Sequence, residues 1–178
     1  MEDQKSKLEV WMRGPVSGIP DLLQPIAHVF LQIQEDINTL FTYDLETHMW
    51  VKPFGVASIA FHIQHISGVI DRMLTYASNQ SLTEDQFTFL AEEGKQKDDI
   101  DYLEILHCFN RQIERALSTL SQIKEDTLKE ERFLGRQKIP TTQLGLLFHA
   151  AEHANRHFGQ LIVTIKVVKA MFGNPSMH

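Results

Sequence analysis

The sequence predicts an all-α fold: a four-helix bundle with a short extra helix between its second and third long helices. Three observations carry that expectation. Apolar residues recur at spacings of three and four in four long segments, the mark of amphipathic helices. Sustained alternation of apolar and polar residues, which would mark strands, is found nowhere. Proline, glycine and polar clusters interrupt the chain between the periodic segments, so each helix can turn back on the one before it. Four such helices bury their stripes against one another as a bundle, whose sites are built in the core from facing helices. A chain of 178 residues is enough for one domain, taken as residues 1–178 with a core over about 15–172.

Residues 1–20 carry Gly14, Pro15, Gly18 and Pro20 and read as an irregular lead-in. Asp21 is placed to cap a first helix over about 21–42, whose first turn tolerates Pro25. Ile26, Val29, Phe30, Ile33, Ile37, Leu40 and Phe41 form its stripe. Pro53 and Gly55 make a break, and Ser58 or a neighbour starts a second helix over about 56–79 with Ile59, Ile63, Ile66, Ile70 and Leu74 inward. Thr83 precedes Gln86 by three, a capping-box pattern that opens a short helix over about 84–94. A polar linker follows. A third long helix over about 99–125 carries Tyr102, Leu103, Leu106, Phe109, Ile113, Leu117 and Leu120. Lys124 to Lys138 is charged and aperiodic and reads as a loop, long enough to be functional. Thr141 or Thr142 caps the last helix, which runs to about Phe172 with Leu144, Leu147, Phe148, Ala151, Leu161 and Ile165 as its apolar face.

Composition narrows the function. A net charge of −6 argues against a nucleic-acid-binding face. No uninterrupted run of about 18 apolar residues predicts a membrane span. The first residues lead into no apolar core and do not form a signal peptide. A single cysteine, Cys108, excludes an internal disulfide and fits a reducing, cytoplasmic setting. Mid-helix beside Phe109, it reads as a buried, inert thiol.

The distinctive feature is nine histidines and how they are spaced. In Leu147-Phe-His149-Ala-Ala-Glu152-His153-Ala-Asn-Arg156-His157-Phe-Gly159-Gln160, three recur every four residues. Helical residues four apart share a face and lie about 6 Å apart at Cβ, close enough for two imidazoles to share one ion. Three in a row do not fit, because His149 and His157 stand about 12 Å apart along the axis. The helix therefore offers His149/His153 or His153/His157. A further ligand must come from elsewhere, and His62 and His65 flank the apolar stripe of the second helix. A free histidine titrates near pH 6.5, so an all-histidine site should lose its ion as pH falls through about 6. His28 and His48 are isolated and read as ordinary surface residues.

Other chemistries find no support. A di-iron bundle needs two Glu-x-x-His motifs, and the chain has one, Glu104-Ile-Leu-His107. His-Glu-x-x-His, Cys-x-x-Cys and Gly-x-Gly-x-x-Gly are absent.

The run Ser58-Ile-Ala-Phe-His62-Ile-Gln-His65-Ile-Ser-Gly-Val-Ile-Asp71-Arg72 resembles the second helix of the DinB/YfiT-like superfamily. Gly135 through Gln160, ending His157-Phe-Gly159-Gln160, is similar to its last helix and the loop before it. The resemblance implies a four-helix bundle holding a divalent metal by three residues; Zn and Ni both suit imidazole ligands, and spacing does not separate them. One comes from the second helix and two from an i, i+4 pair in the last. By position these are His65, which stands six residues before Asp71-Arg72, and His153 with His157. His62 and His149 would then flank the ion, touching bound water or substrate or orienting a ligand. Three protein ligands leave a coordination position open, as in catalytic sites. Relatives include thiol S-transferases, so the implied activity is transfer of a low-molecular-weight thiol to a small electrophile, a detoxification chemistry. The ion would activate the thiol. A homodimer is also implied. Two other readings share the same residues: a metal-binding or stress-response protein without catalysis, and an all-α interaction module with structural histidines.

Overall fold

The computed structural model describes residues 8–97 and 99–172. Four long helices form the bundle: α1 (Gln24–Leu40), α2 (Ile59–Ala77), α4 (Tyr102–Gln122) and α5 (Gln143–Phe172). The short α3 (Glu84–Glu92) packs on α2 between them in sequence. The long helices form a ring in which α2 touches α5 and α4, and α1 touches the same two. The α2–α5 pair is the most extensive contact, and it holds the histidines.

Each helix follows from its pattern. In α2, Ile59, Ile63, Ile66 and Ile70 are fully buried and Leu74 nearly so. Ser58 caps it by accepting from the Phe61 N–H. Its apolar content is high enough, by length and composition, for the stretch Pro53–Ala77 to cross a membrane. Most of that stretch is instead buried among the other helices. Phe30, Ile33 and Ile37 of α1, Phe109, Ile113 and Leu120 of α4, and Leu147 and Leu161 of α5 complete one continuous core. α3 has the expected capping box, with Thr83 Oγ1 accepting from the Gln86 N–H and the Gln86 side chain accepting from the Thr83 N–H.

Several expectations are corrected. Asp21 does not cap α1: residues Asp21–Leu23 form a single 3₁₀ turn, and α1 starts at Gln24 without a side-chain cap. That turn is held by Glu125, whose carboxylate accepts from the Leu22 N–H at 2.8 Å. α4 is shorter than expected because Asp101 caps it, accepting from the Glu104 N–H at 2.8 Å. Leu103 is exposed, since it lies about 200° around the helix from the buried Ile105. Leu144 and Phe148 are exposed as well, Phe148 at 62%; the buried face of α5 runs instead through Leu147, Ala150, Ala151 and Ala154. The small alanines let α5 approach α2 closely.

The expected absence of strands is also corrected. Within Lys124 to Thr142 the chain forms an antiparallel hairpin, β1 (Glu131–Leu134) with β2 (Ile139–Thr142), pairing Phe133 with Pro140. The strands are four residues each and mostly exposed, so they leave no alternating pattern. The buried Arg132 anchors them, its Nε donating to the Ala77 carbonyl at 2.8 Å where α2 ends. Gln143 donates to the same carbonyl at 3.2 Å. A cationic donor there also suits the negative end of the α2 dipole. Thr142 caps α5, accepting from the Gly145 N–H at 3.0 Å.

Candidate metal centre

α2 and α5 run antiparallel at the site, because His65 meets His153 while His62 meets His157 and Thr164 further along α5. The helical repeat and the docking of α2 on α5 together therefore set which imidazoles face each other. His65 Nε2 lies 3.0 Å from His153 Nε2. The rings of His65 and His157 are 4.4 Å apart at their centroids, and those of His153 and His157 are 4.7 Å apart. One nitrogen from each of His65, His153 and His157 falls within 4.8 Å of the others. All three are half-buried, so the cluster is walled by the bundle and open on one side.

The donor set fits a divalent ion. Two nitrogens about 2.0–2.1 Å from one ion stand about 2.9–3.4 Å apart over octahedral to tetrahedral angles, which brackets the His65–His153 separation. His153 Nδ1 is buried and has no hydrogen-bond partner among the described residues, so the cluster is a polar group short of a partner. Burial, the largest effect, pushes the His157 pKa down to about 4, with His65 and His153 adding to the shift. Burial likewise lowers that of His153, with His65 contributing. Neutral imidazoles are what a metal requires.

The flanking histidines part company. His62 is buried, its Nδ1 3.2 Å from His157 Nδ1 and its Nε2 3.5 Å from Thr164 Oγ1. Burial first, then His65, lowers its pKa to about 4. His149 is more exposed and faces its own helix, its Nδ1 3.6 Å from a Glu152 carboxylate oxygen. His149, Glu152 and His153 make a second group with converging ligand atoms, but Glu152 is already paired with Arg156 on the surface of α5.

The remaining singled-out residues lie elsewhere. His28 Nε2 contacts the Gly14 carbonyl at 3.1 Å, and His48 stacks on Phe172 at 4.2 Å. His107 and Cys108 line a cavity of about 630 Å³ between α2, α3 and α4, away from the histidine cluster. Cys108 is half-buried rather than fully buried, and burial pushes its thiol pKa up, which keeps it protonated and unreactive.

Sequence reasoning missed Glu93. The sequence places it in the last turn of the short helix over about 84–94; in the fold it is the residue that ends α3, and nothing in the periodicity marks it. In the fold its side chain is only 3% exposed, with Oε2 2.6 Å from His65 Nδ1 and Oε1 accepting from Arg72 Nη1 at 2.7 Å.

A bundle with this site is matched by the family model for the DinB superfamily over residues 16–161. The chain belongs to the DinB superfamily. No curated protein matches the chain. The all-α bundle that the superfamily resemblance implied is therefore present, and its histidine groups could hold a divalent metal.

Proposed function

We propose that this DinB-superfamily chain holds one divalent ion at His65, His153 and His157 and uses it to activate a small thiol for transfer to an electrophile. The observation that carries the reading is the convergence of three imidazoles from two helices on one half-open point, two of them with pKa values lowered by burial. Zn and Ni both suit imidazole ligands. When bound, the ion supplies Lewis acidity that favours the thiolate over the thiol. The chain's own residues do the rest. Burial keeps the His153 and His157 rings unprotonated near neutral pH, and His65 turns its Nε2 toward His153. His62 and Glu93 hold two of those rings by the nitrogen away from the cluster. The walls of α2 and α5 keep bulk water to one side. The protein needs no nucleophile of its own, in keeping with the protonated Cys108.

The test has two stages. Metal content of the purified protein and chelator competition with Zn and Ni establish the ion. Consumption of a generic electrophile by excess small thiol, with and without that ion, then measures transfer. Stoichiometric metal with no ion-dependent transfer would reduce the reading to a metal-binding protein. Failure to bind either ion would leave the histidines structural.

A further inference from the structure

Glu93 is a buried carboxylate, and a buried charge is tolerated only when it is fully paired. Both of its oxygens are engaged, one by His65 Nδ1 at 2.6 Å and the other by Arg72 Nη1 at 2.7 Å. The surroundings are shaped to admit it. Gly68 lies on α2 between His65 and Arg72, and any Cβ there would collide with Glu93 Oε1 and stand 2.6 Å from Arg72 Nη1. The next residue, Gly94, has a left-handed backbone with φ +75° and lies against Phe61, where a Cβ would approach to 2.8 Å. Its N–H donates to Gln64 Oε1 at 2.8 Å. Phe61 in turn stacks on the His65 ring, with centroids 5.1 Å apart and planes 12° from parallel. One face of α2 thus receives the chain end of α3, and His65 is gripped by its ring face and by Nδ1.

We infer that Glu93 is a positioning residue for His65. A carboxylate can only accept, so it fixes a proton on Nδ1; in a ring that carries one proton this leaves the lone pair on Nε2, the nitrogen that faces His153. Arg72 holds the second oxygen and prevents the carboxylate from turning away. The consequence for metal binding rests on the reading above. The tautomer itself does not.

Glu93→Gln separates this role from that of a simple staple between α3 and α2. Arg72 donates and cannot accept, so it claims the Gln oxygen and turns the carboxamide N–H₂ toward His65 Nδ1. The ring must then accept at Nδ1 and carry its proton on Nε2, which closes the ligand position. Side-chain ¹⁵N NMR of metal-free, histidine-labelled protein reads this directly. The wild type is expected to show Nδ1–H on His65 and Glu93→Gln to show Nε2–H, with helical content unchanged by circular dichroism. Chelator competition with Zn should show affinity lowered about 10–100-fold in Glu93→Gln. In the double variant Glu93→Gln/Arg72→Met the Gln oxygen is free to face His65. It should restore Nδ1–H and part of the affinity, whereas a staple would lose more. Nε2–H on His65 in the wild-type protein overturns the inference, and so does an unchanged tautomer in Glu93→Gln. A wild-type protein that shows Nδ1–H but binds no ion refutes the metal reading and upholds the role of Glu93.

Discussion

The Nδ1 atoms of His62 and His157 stand 3.2 Å apart, so one of the two rings must donate to the other. If His157 is to offer Nε2 to an ion, its own proton sits on Nδ1 and His62 accepts. His62 then carries its proton on Nε2 and donates to Thr164 Oγ1 at 3.5 Å. His62→Ala should therefore retain a nearly stoichiometric ion at an affinity lowered about 10–100-fold, while His157→Ala empties the site. Thr164→Val should weaken binding in the same direction by less. Chelator competition on the three variants side by side checks the order, and a His62→Ala protein with unaltered affinity would remove His62 from the relay.

His149 and His153 are as well spaced for a metal as His153 and His157, but only the latter pair faces His65. His149→Ala is expected to keep its ion, and His153→Ala and His65→Ala to lose it. Metal analysis after dialysis decides this. Loss of the ion from His149→Ala alone would move the centre one turn along α5.

The depressed histidines make the metal-free protein acid-sensitive in a defined window. An unfolded histidine takes up a proton near pH 6.5, whereas His62 and His157 in the fold do so only near 4. Between those values the unfolded chain binds more protons, so stability is complete above about 6.5 and falls as pH drops toward 4. Each such residue adds at most about 1.4 kcal/mol per pH unit to the slope. Urea melts of wild type and His62→Phe from pH 7.5 to 4.5 should show a shallower fall in the variant. The same shift delays proton competition for the ion, which should be retained through about pH 6, where free histidine would begin to release it, and lost toward 4.

Arg132 ties the hairpin to the end of α2 through the Ala77 carbonyl. Arg132→Met leaves that buried carbonyl with Gln143 alone and should cost about 1–3 kcal/mol. At this chain length that lowers the melting temperature by about 2–4 °C per kcal/mol. An unchanged melting temperature would mean that the hairpin is not anchored by this contact.

The bundle was legible because α1, α2, α4 and α5 each bury a stripe at helical spacing, with Ser58 and Thr83 capping where expected. Stripe edges were not. Periodicity locates a face only to within about 100°, so Phe148 falls just beyond it, while Leu103 stands on the far side of α4 from Ile105. The hairpin escaped because its strands bury almost only Phe133's neighbour Arg132, a charged residue. For the site, spacing yielded the histidines but left two registers open on α5. The choice between them depends on where α2 docks. Glu93 was invisible for the same reason. Its partners lie 28 and 21 residues back, and only folding brings them together.

α2 also has a consequence for how the chain is made. It is the helix apolar enough to cross a bilayer, and α5, its main cover, begins only at Gln143. A ribosome adding about 5–20 residues per second finishes α2 several seconds before α5 emerges. During that interval the nascent chain displays a greasy segment without its lid. Truncated translation products or proteolytic fragments cut short of Gln143 should therefore not fold as smaller bundles. Their expected fate is capture by chaperones or lipid, which makes the last helix the quality checkpoint of synthesis as well as the bearer of two histidines.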